Sequence, residues 1–87
     1  MKVNINGQDM DVDILEVGKR YKHLTSDTLW RIHSMTSGLQ NTIDVELVNR
    51  YGGVMDRELL VSITPIMARV GTFVEISKEE FESRKNR

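Results

Sequence analysis

Apolar and polar residues alternate over the first part of the chain, on both sides of an Asn6-Gly7 pair. A two-residue type I′ turn needs positive φ at both centres, which Asn and Gly adopt readily. The pattern predicts a hairpin in which Ile5 faces Gln8. Its core-facing side is predicted to consist of Val3, Ile5, Met10, Val12 and Ile14. Its solvent-facing side is predicted to consist of Asp9, Asp11 and Asp13.

A second strand pair is predicted from Lys19 to Leu24 and from Leu29 to Met35, joined by a short polar turn. If residues 25–28 form the turn, Leu24 faces Leu29. This register places Lys22 opposite Arg31 and Arg20 opposite His33 on one side. The reverse side, which we expect to be core, consists of Tyr21, His23, Trp30 and Ile32.

Further strand-like runs and a helix follow. An alternating strand over residues 43–47 runs on to Tyr51, before the Gly52-Gly53 break. Residues 58–63 predict a strand that ends at Thr64-Pro65, and residues 70–76 predict a last strand in which Gly71 permits a bulge. Ser77 with Glu80 has the spacing of a capping box, which predicts a helix over about residues 77–85. Phe81 is its single large apolar residue, so we expect one contact with the domain.

The length of 87 residues allows one hydrophobic core, so residues 1–87 are predicted to form a single domain. Five or six short strands joined by tight turns are most economically arranged as a small antiparallel barrel. We therefore expect a mainly β fold, an SH3-like barrel with a short C-terminal helix.

Two short motifs carry a resemblance to a known group. Gly18-x-x-Tyr21-x-His23 is followed by Leu29-Trp30-x-Ile32 and then by the acidic-apolar strand over residues 43–47. This half of the chain resembles the front half of small uncharacterised bacterial and phage SH3-like β-barrel proteins. The resemblance implies a fold and carries no activity with it.

Composition narrows the setting in which the chain works. Twelve Lys and Arg residues against thirteen Asp and Glu give a net charge of -1, so any electrostatic attraction to a partner must be local. The chain has no cysteine, which excludes disulfides and thiolate chemistry. The N-terminus is polar and lacks an apolar run of signal-peptide length. We therefore expect a cytoplasmic protein of bacterial or phage origin.

No catalytic or metal-binding motif is complete. The Asp9-x-Asp11-x-Asp13 run begins like a calcium loop, but Ile14 and Arg20 stand where that loop requires glycine and glutamate. His23 and His33 are predicted on opposite sides of their sheet. There is no nucleophile-elbow motif and no phosphate-binding glycine loop. We therefore expect no enzyme activity, no cofactor and no metal.

The predicted basic patch consists of Arg20, Lys22, Arg31 and His33. Like charges opposite one another across strands are destabilising, so the pairing requires an explanation. In one interpretation, the strand carrying Asp9, Asp11 and Asp13 lies alongside in the same sheet and neutralises the patch. In the other, the patch stays open and binds an anionic partner, either nucleic-acid phosphate or an acidic protein surface.

Tyr51 adds a second candidate contact, because residues 51–55 combine an aromatic ring, a thioether and two glycines. The alternative is that Tyr51 closes the core and the glycines only turn the chain. Together these features predict a non-catalytic binding module, an interaction, accessory or inhibitor protein with a protein partner. A nucleic-acid-binding barrel is the alternative function. A homodimer through an unpaired edge strand is also open.

Overall fold

The computed structural model of this protein describes residues 1–61 and 66–85. These residues form eight strands and one helix. The strands are β1 (Lys2–Ile5), β2 (Gln8–Leu15), β3 (Arg20–His23), β4 (Thr28–Thr36), β5 (Asn41–Val48), β6 (Val54–Val61), β7 (Ile66–Arg69) and β8 (Phe73–Ile76), and the helix is α1 (Lys78–Arg84). The prediction of a mainly β chain with a short C-terminal helix is confirmed.

The described strands form two antiparallel sheets that do not close into a barrel. One sheet has three strands in the order β1-β2-β7, and the other has five in the order β6-β5-β4-β3-β8. The expected five or six strands are therefore too few, and the SH3-like likeness stays a prediction. β7 is a strand that the sequence did not predict, because it lies before the strand expected over residues 70–76. Gly71, with a φ of +92°, lies in the turn between β7 and β8, so only residues 73–76 of the expected strand form β8.

The strand predicted over residues 58–63 begins earlier, because β6 starts at Val54. Its predicted end at Ile63 and the Thr64-Pro65 stop lie outside the described residues. The charged run at Asp56, Arg57 and Glu58 concealed the start of this strand. Such a run is tolerated because, among the described strands, β6 pairs with β5 alone and so lies at the edge of the sheet.

The Asn6-Gly7 hairpin is confirmed, with φ values of +52° and +80° at its two turn residues and Ile5 opposite Gln8. Its predicted apolar side is only partly buried. Val12 is 2% exposed, whereas Ile14 is 39% exposed and Leu15 takes the second buried position. Strict alternation fails because β2 changes partner, from β1 before Val12 to β7 from Val12 onward.

The predicted second hairpin has the expected faces and a different register. His23 lies opposite Thr28, so the turn is residues 24–27 and Lys22 faces Leu29. Asp27 closes this turn with a φ of +56°, and its N–H donates to the His23 carbonyl at 2.9 Å. The shift of two residues preserves which side each residue occupies. It does place Arg20 opposite Arg31, where Lys22 was expected.

Each face of the five-stranded sheet carries a buried cluster. On the face that we call inner, Leu15 from the three-stranded sheet packs with Tyr21 and three strand residues, and the cluster consists of Leu15, Tyr21, Ile32, Ile43 and Val45. On the outer face, Phe81 of α1 packs against Leu29 and Val48, with Ile76 beside them. Both faces of the sheet therefore exclude water over part of their area.

The helix begins where the capping box predicted. The Ser77 hydroxyl accepts a hydrogen bond from the Glu80 N–H at 3.1 Å, and Ile76 packs in the same cluster as Phe81. The expectation of a single contact is wrong, because Arg84 and Lys85 also form ion pairs with the domain. Across the described residues, α1 is too short and too polar to cross a bilayer.

Candidate functional site

The four residues of the predicted basic patch lie on the outer face of the five-stranded sheet, on β3 and β4. Each of them already contacts a group of this chain. Lys22 Nζ lies 3.5 Å from an Asp27 carboxylate oxygen, and His33 Nε2 lies 3.8 Å from one of Asp56. The guanidinium carbon of Arg20 lies 5.8 Å from the centre of the Phe81 ring. The patch is therefore largely occupied from within the molecule.

Arg31 belongs to a tighter cluster centred on Glu46. Arg31 Nε donates to a Glu46 carboxylate oxygen at 3.1 Å, and Lys85 Nζ lies 3.0 Å from the same oxygen. Partial burial acts to raise the pKa of Glu46, but the hydrogen bonds from Lys85 and Arg31 outweigh it and hold the pKa below its usual value. The ionised carboxylate thus links β5, β4 and the end of the helix.

A second cluster ties the helix to the β3–β4 turn. Arg84 Nη2 donates to an Asp27 carboxylate oxygen at 3.0 Å, and another guanidinium nitrogen donates to the Asp27 carbonyl. The hydrogen bond from Arg84 lowers the pKa of the Asp27 carboxyl, with a smaller contribution from the charge of Lys22. Asp27 therefore serves the fold twice, since its backbone closes the turn and its carboxylate holds the helix.

Asp9, Asp11 and Asp13 do not neutralise the patch. They lie on β2, which belongs to the three-stranded sheet, whereas the patch lies in the five-stranded one. Asp11 contacts the terminal ammonium of Met1 at 3.0 Å, and Asp9 accepts from Asn4 at 3.1 Å. Carboxylates of this chain face Lys22, Arg31 and His33, whereas Arg20 has none among the described residues, and the expected source on β2 is wrong. The neutralising carboxylates come from the β3–β4 turn, β5 and β6.

The two histidines occupy opposite faces, as the sequence predicted. The ring centre of His23 lies 4.9 Å from that of Phe73 and 6.4 Å from that of Trp30, and its Nδ1 lies 2.6 Å from the Ser26 hydroxyl. It is thus a hydrogen-bonded residue at the margin of the core. Over residues 1–61 and 66–85, no three His, Asp or Glu side chains are grouped so that they could hold a metal ion.

Tyr51 does not close the core. It lies in the β5–β6 turn with 71% of its surface exposed, and the guanidinium carbon of Arg50 lies 5.2 Å from its ring centre. Asn49 organises the turn, because its side-chain oxygen accepts from the N–H groups of Tyr51 and Gly53. An exposed aromatic ring thus stands at one end of β6.

An apolar concavity lies on the inner face beside β6. It is a groove of about 540 Å³, and Trp30, Leu47 and Leu59 of its wall also pack against the inner cluster. Its walls consist of Thr28, Trp30, Leu47, Asn49, Gly53, Val54, Met55, Arg57 and Leu59. Trp30 and Leu47 are half-buried, and Met55 is 49% exposed. A partner's apolar side chain would exclude water from this groove.

Among the described residues of that wall, Arg57 is the one that carries a charge. Its Nε lies 2.9 Å from the Met55 sulfur, and among the described residues it forms no ion pair with a carboxylate. A thioether is a weak acceptor, so the guanidinium keeps most of its hydrogen-bonding capacity. Arg57 can therefore receive a carboxylate from outside the molecule.

Strand β6 also offers its backbone. It has β5 on one side and, in the part of the chain that the structure describes, no strand on the other. Alternate N–H and C=O groups of an edge strand point away from the sheet and can pair with another strand. We call β6 together with the groove beside it the open edge. It brings a strand template, an apolar groove and an unpaired arginine together.

The sequence did not identify this edge, because the strand was expected to start only at Glu58. A usable signal was present in residues 54–60, which read apolar, apolar, acidic, basic, acidic, apolar, apolar. Alternation within that run places Met55, Arg57 and Leu59 on one face.

No protein-family model matches this chain, and no curated protein and no solved structure gives a match to it.

Proposed function

We propose that this protein is a non-catalytic module that binds an extended segment of another protein along the open edge. The segment adds a strand to β6, and its inward side chains lie against Met55 and Leu59. Main-chain hydrogen bonds supply affinity in such complexes, and alternate side chains supply selectivity. The observation that carries the proposal is the groove of about 540 Å³ directly beside β6, which among the described residues has a neighbouring strand on one side only.

A protein partner is favoured over nucleic acid by the state of the basic patch. Phosphate binding needs cations that are free to replace counterions, and Lys22 and Arg31 already face carboxylates at 3.5 Å and 3.1 Å. The net charge of -1 adds no long-range attraction to a polyanion. The inner groove, in contrast, has the apolar lining of a peptide site.

A displayed library of short random peptides, selected on the immobilised protein, tests this function. We expect the selected peptides to slow hydrogen exchange at β6 amides and to leave β8 amides, at the opposite edge, unchanged. Met55→Lys should weaken their binding at least about tenfold, a loss of about 1.4 kcal/mol. Val74→Lys is the matched control, because Val74 is 46% exposed on the other edge.

Three results would contradict the function. The library could yield no binder, the protected amides could lie in β8, or Met55→Lys and Val74→Lys could have equal effects. Binding of single-stranded oligonucleotides is measured as a separate test of the nucleic-acid alternative. Tight binding at about 50 mM salt that weakens steeply with added salt would instead favour the nucleic-acid alternative.

A further inference from the structure

The charges of β6 alternate between the two faces of the sheet. Asp56 and Glu58 project on the outer face, whereas Arg57 projects on the inner face between Met55 and Leu59. Directly opposed residues of neighbouring strands project on the same face. A strand added to β6 therefore meets two carboxylates on one face and one guanidinium on the other.

The outer-face carboxylates of β6 lie next to other carboxylates. Asp56 lies opposite Glu46, and Glu58 lies opposite Asp44, so two acidic pairs span β5 and β6. Like charges in these positions are destabilising unless cations neutralise them. The two carboxylates of β5 have partners within the chain. Arg31 and Lys85 form ion pairs with Glu46, and the Ser34 hydroxyl donates a hydrogen bond to Asp44 at 2.8 Å.

The charged side chains of β6 have few ion-pair partners among the described residues. The Asp56 side chain is 80% exposed and has only His33 at 3.8 Å. Glu58 forms no ion pair with any described residue, and neither does Arg57. The three central charges of the edge strand thus lack strong partners within the described part of the chain.

A second copy of this chain is a poor occupant of the edge. Antiparallel pairing about a two-fold axis centred on Arg57 sets that arginine against its own counterpart and Asp56 against a glutamate. A register centred on Asp56 or Glu58 sets carboxylate against carboxylate. These three registers oppose like charges and are destabilised by it. Registers centred on Met55 or Leu59 set Arg57 against Gly53 or Val61, so no two-fold register pairs Arg57 with Asp56 or Glu58. The same charges favour a strand of complementary sequence.

Resting on the function proposed above, we infer that the open edge selects a segment in which one acidic residue is flanked by two basic residues. The acidic side chain pairs with Arg57, and the basic ones pair with Asp56 and Glu58. Apolar residues on either side face Val54 and Met55 at one end and Leu59 and Leu60 at the other. The pattern reads the same in both directions, so it does not depend on strand direction.

Three synthetic peptides of equal length test this inference. The first carries Lys-Glu-Lys between pairs of valines, the second carries Glu-Lys-Glu, and the third carries Thr-Thr-Thr. We expect the first to bind at least about tenfold more tightly than the second, a difference of about 1.4 kcal/mol. Added salt should reduce this preference, since exposed ion pairs are screened.

Exchanging the charges sharpens the test. Arg57→Glu should remove the preference for Lys-Glu-Lys and favour a peptide with Lys-Lys-Lys at its centre. Arg50→Glu is the matched control, because Arg50 forms no ion pair with a described residue and its guanidinium lies over the exposed Tyr51 ring. The Arg50→Glu variant should prefer the same peptide as the unaltered protein.

The outcomes separate the two proposals. If the three peptides bind equally and protect β6 amides, the charge pattern is wrong and edge binding stands. If none of the three protects β6 amides although library-selected peptides do, the inference is overturned and edge binding stands, whereas failure of both sets overturns both proposals. If the protein sediments as a dimer that Met55→Lys dissociates, the occupant is a second copy and the inference is overturned.

Discussion

Two apolar regions of the same five-stranded sheet differ in what covers them. On the outer face, Leu29 and Val48 lie under Phe81, and all three side chains are fully buried. On the inner face, Trp30 and Met55 line a groove that no described element covers. We call the first region the covered patch. The chain uses its own helix to exclude water at the covered patch and leaves the open edge for another segment.

The charges of the two regions differ in the same way. At the covered patch, Arg84 and Lys85 of the helix end form ion pairs with Asp27 and Glu46. At the open edge, the one hydrogen-bond partner of the Arg57 side chain within residues 1–61 and 66–85 is the sulfur of Met55. The covered patch shows what docking on this sheet requires, which is an apolar side chain in a concavity and charges matched around it.

Removing the ring that fills the covered patch should have the largest effect on stability. Phe81→Ala deletes a fully buried ring, and we expect a loss of about 3 to 5 kcal/mol in the free energy of unfolding. The free energy of unfolding of a small domain is about 5 to 15 kcal/mol in total, so this variant can be largely unfolded. Urea denaturation followed by circular dichroism measures the loss.

Two further variants keep that test informative. Phe81→Leu retains most of the apolar contact and should lose about 1 to 2 kcal/mol. Ser83→Ala changes an exposed residue of the same helix and should stay within about 0.5 kcal/mol. A loss below about 1 kcal/mol for Phe81→Ala would mean that the helix contributes little to the fold.

The second largest effect on stability is expected from acid, which protonates the carboxylates that hold the helix on the covered patch. Asp27 and Glu46 have pKa values below their usual ones, so their ionised forms favour the folded state. That contribution is complete above the unfolded carboxyl pKa of about 4. It is lost as the pH falls through the lowered pKa values of the folded protein.

The measurement is the urea midpoint as a function of pH. We expect the midpoint to fall on acidification below about pH 4, and to fall less steeply in Glu46→Gln, which has no carboxyl to protonate. Asp13→Asn alters an exposed residue outside both ion-pair clusters and serves as the control. Equal slopes for Glu46→Gln and the unaltered protein would contradict the role of Glu46.

Local turn and capping chemistry could be predicted from the sequence. Asn6-Gly7 specified its hairpin, and Ser77 with Glu80 specified the start of the helix. These features depend on contacts between residues only a few positions apart. Tyr21 and Ile32 were also assigned correctly to the core, because period-two alternation survives an error of two in the register.

Long-range arrangement could not be predicted in the same way. Nothing in residues 8–15 indicates that β2 pairs with β7, and so the three aspartates were expected beside the basic patch. Leu29 shares its side of β4 with Arg31 and was buried by a helix from the other end of the chain. The open edge was missed because Asp56, Arg57 and Glu58 resemble a polar turn until β5 is known to pair with them.

The smallest stability effects concern a pair of arginines, one in each region. Arg84 is 13% exposed and donates to Asp27, so Arg84→Ala should lose about 1 kcal/mol, the typical net value of a hydrogen bond. Arg57→Ala should change stability by no more than about 0.5 kcal/mol, because no described carboxylate depends on it. Thermal denaturation of both variants against the unaltered protein measures the difference.

The comparison between the two arginines separates folding from binding on one sheet. If Arg57→Ala leaves the unfolding free energy unchanged and abolishes the preference for a Lys-Glu-Lys peptide, the guanidinium acts on a partner and not on the fold. If it destabilises the protein as much as Arg84→Ala, Arg57 must hold β6 in place. The edge charges would then serve the stability of the sheet, and the peptide selectivity inferred from them would have no basis.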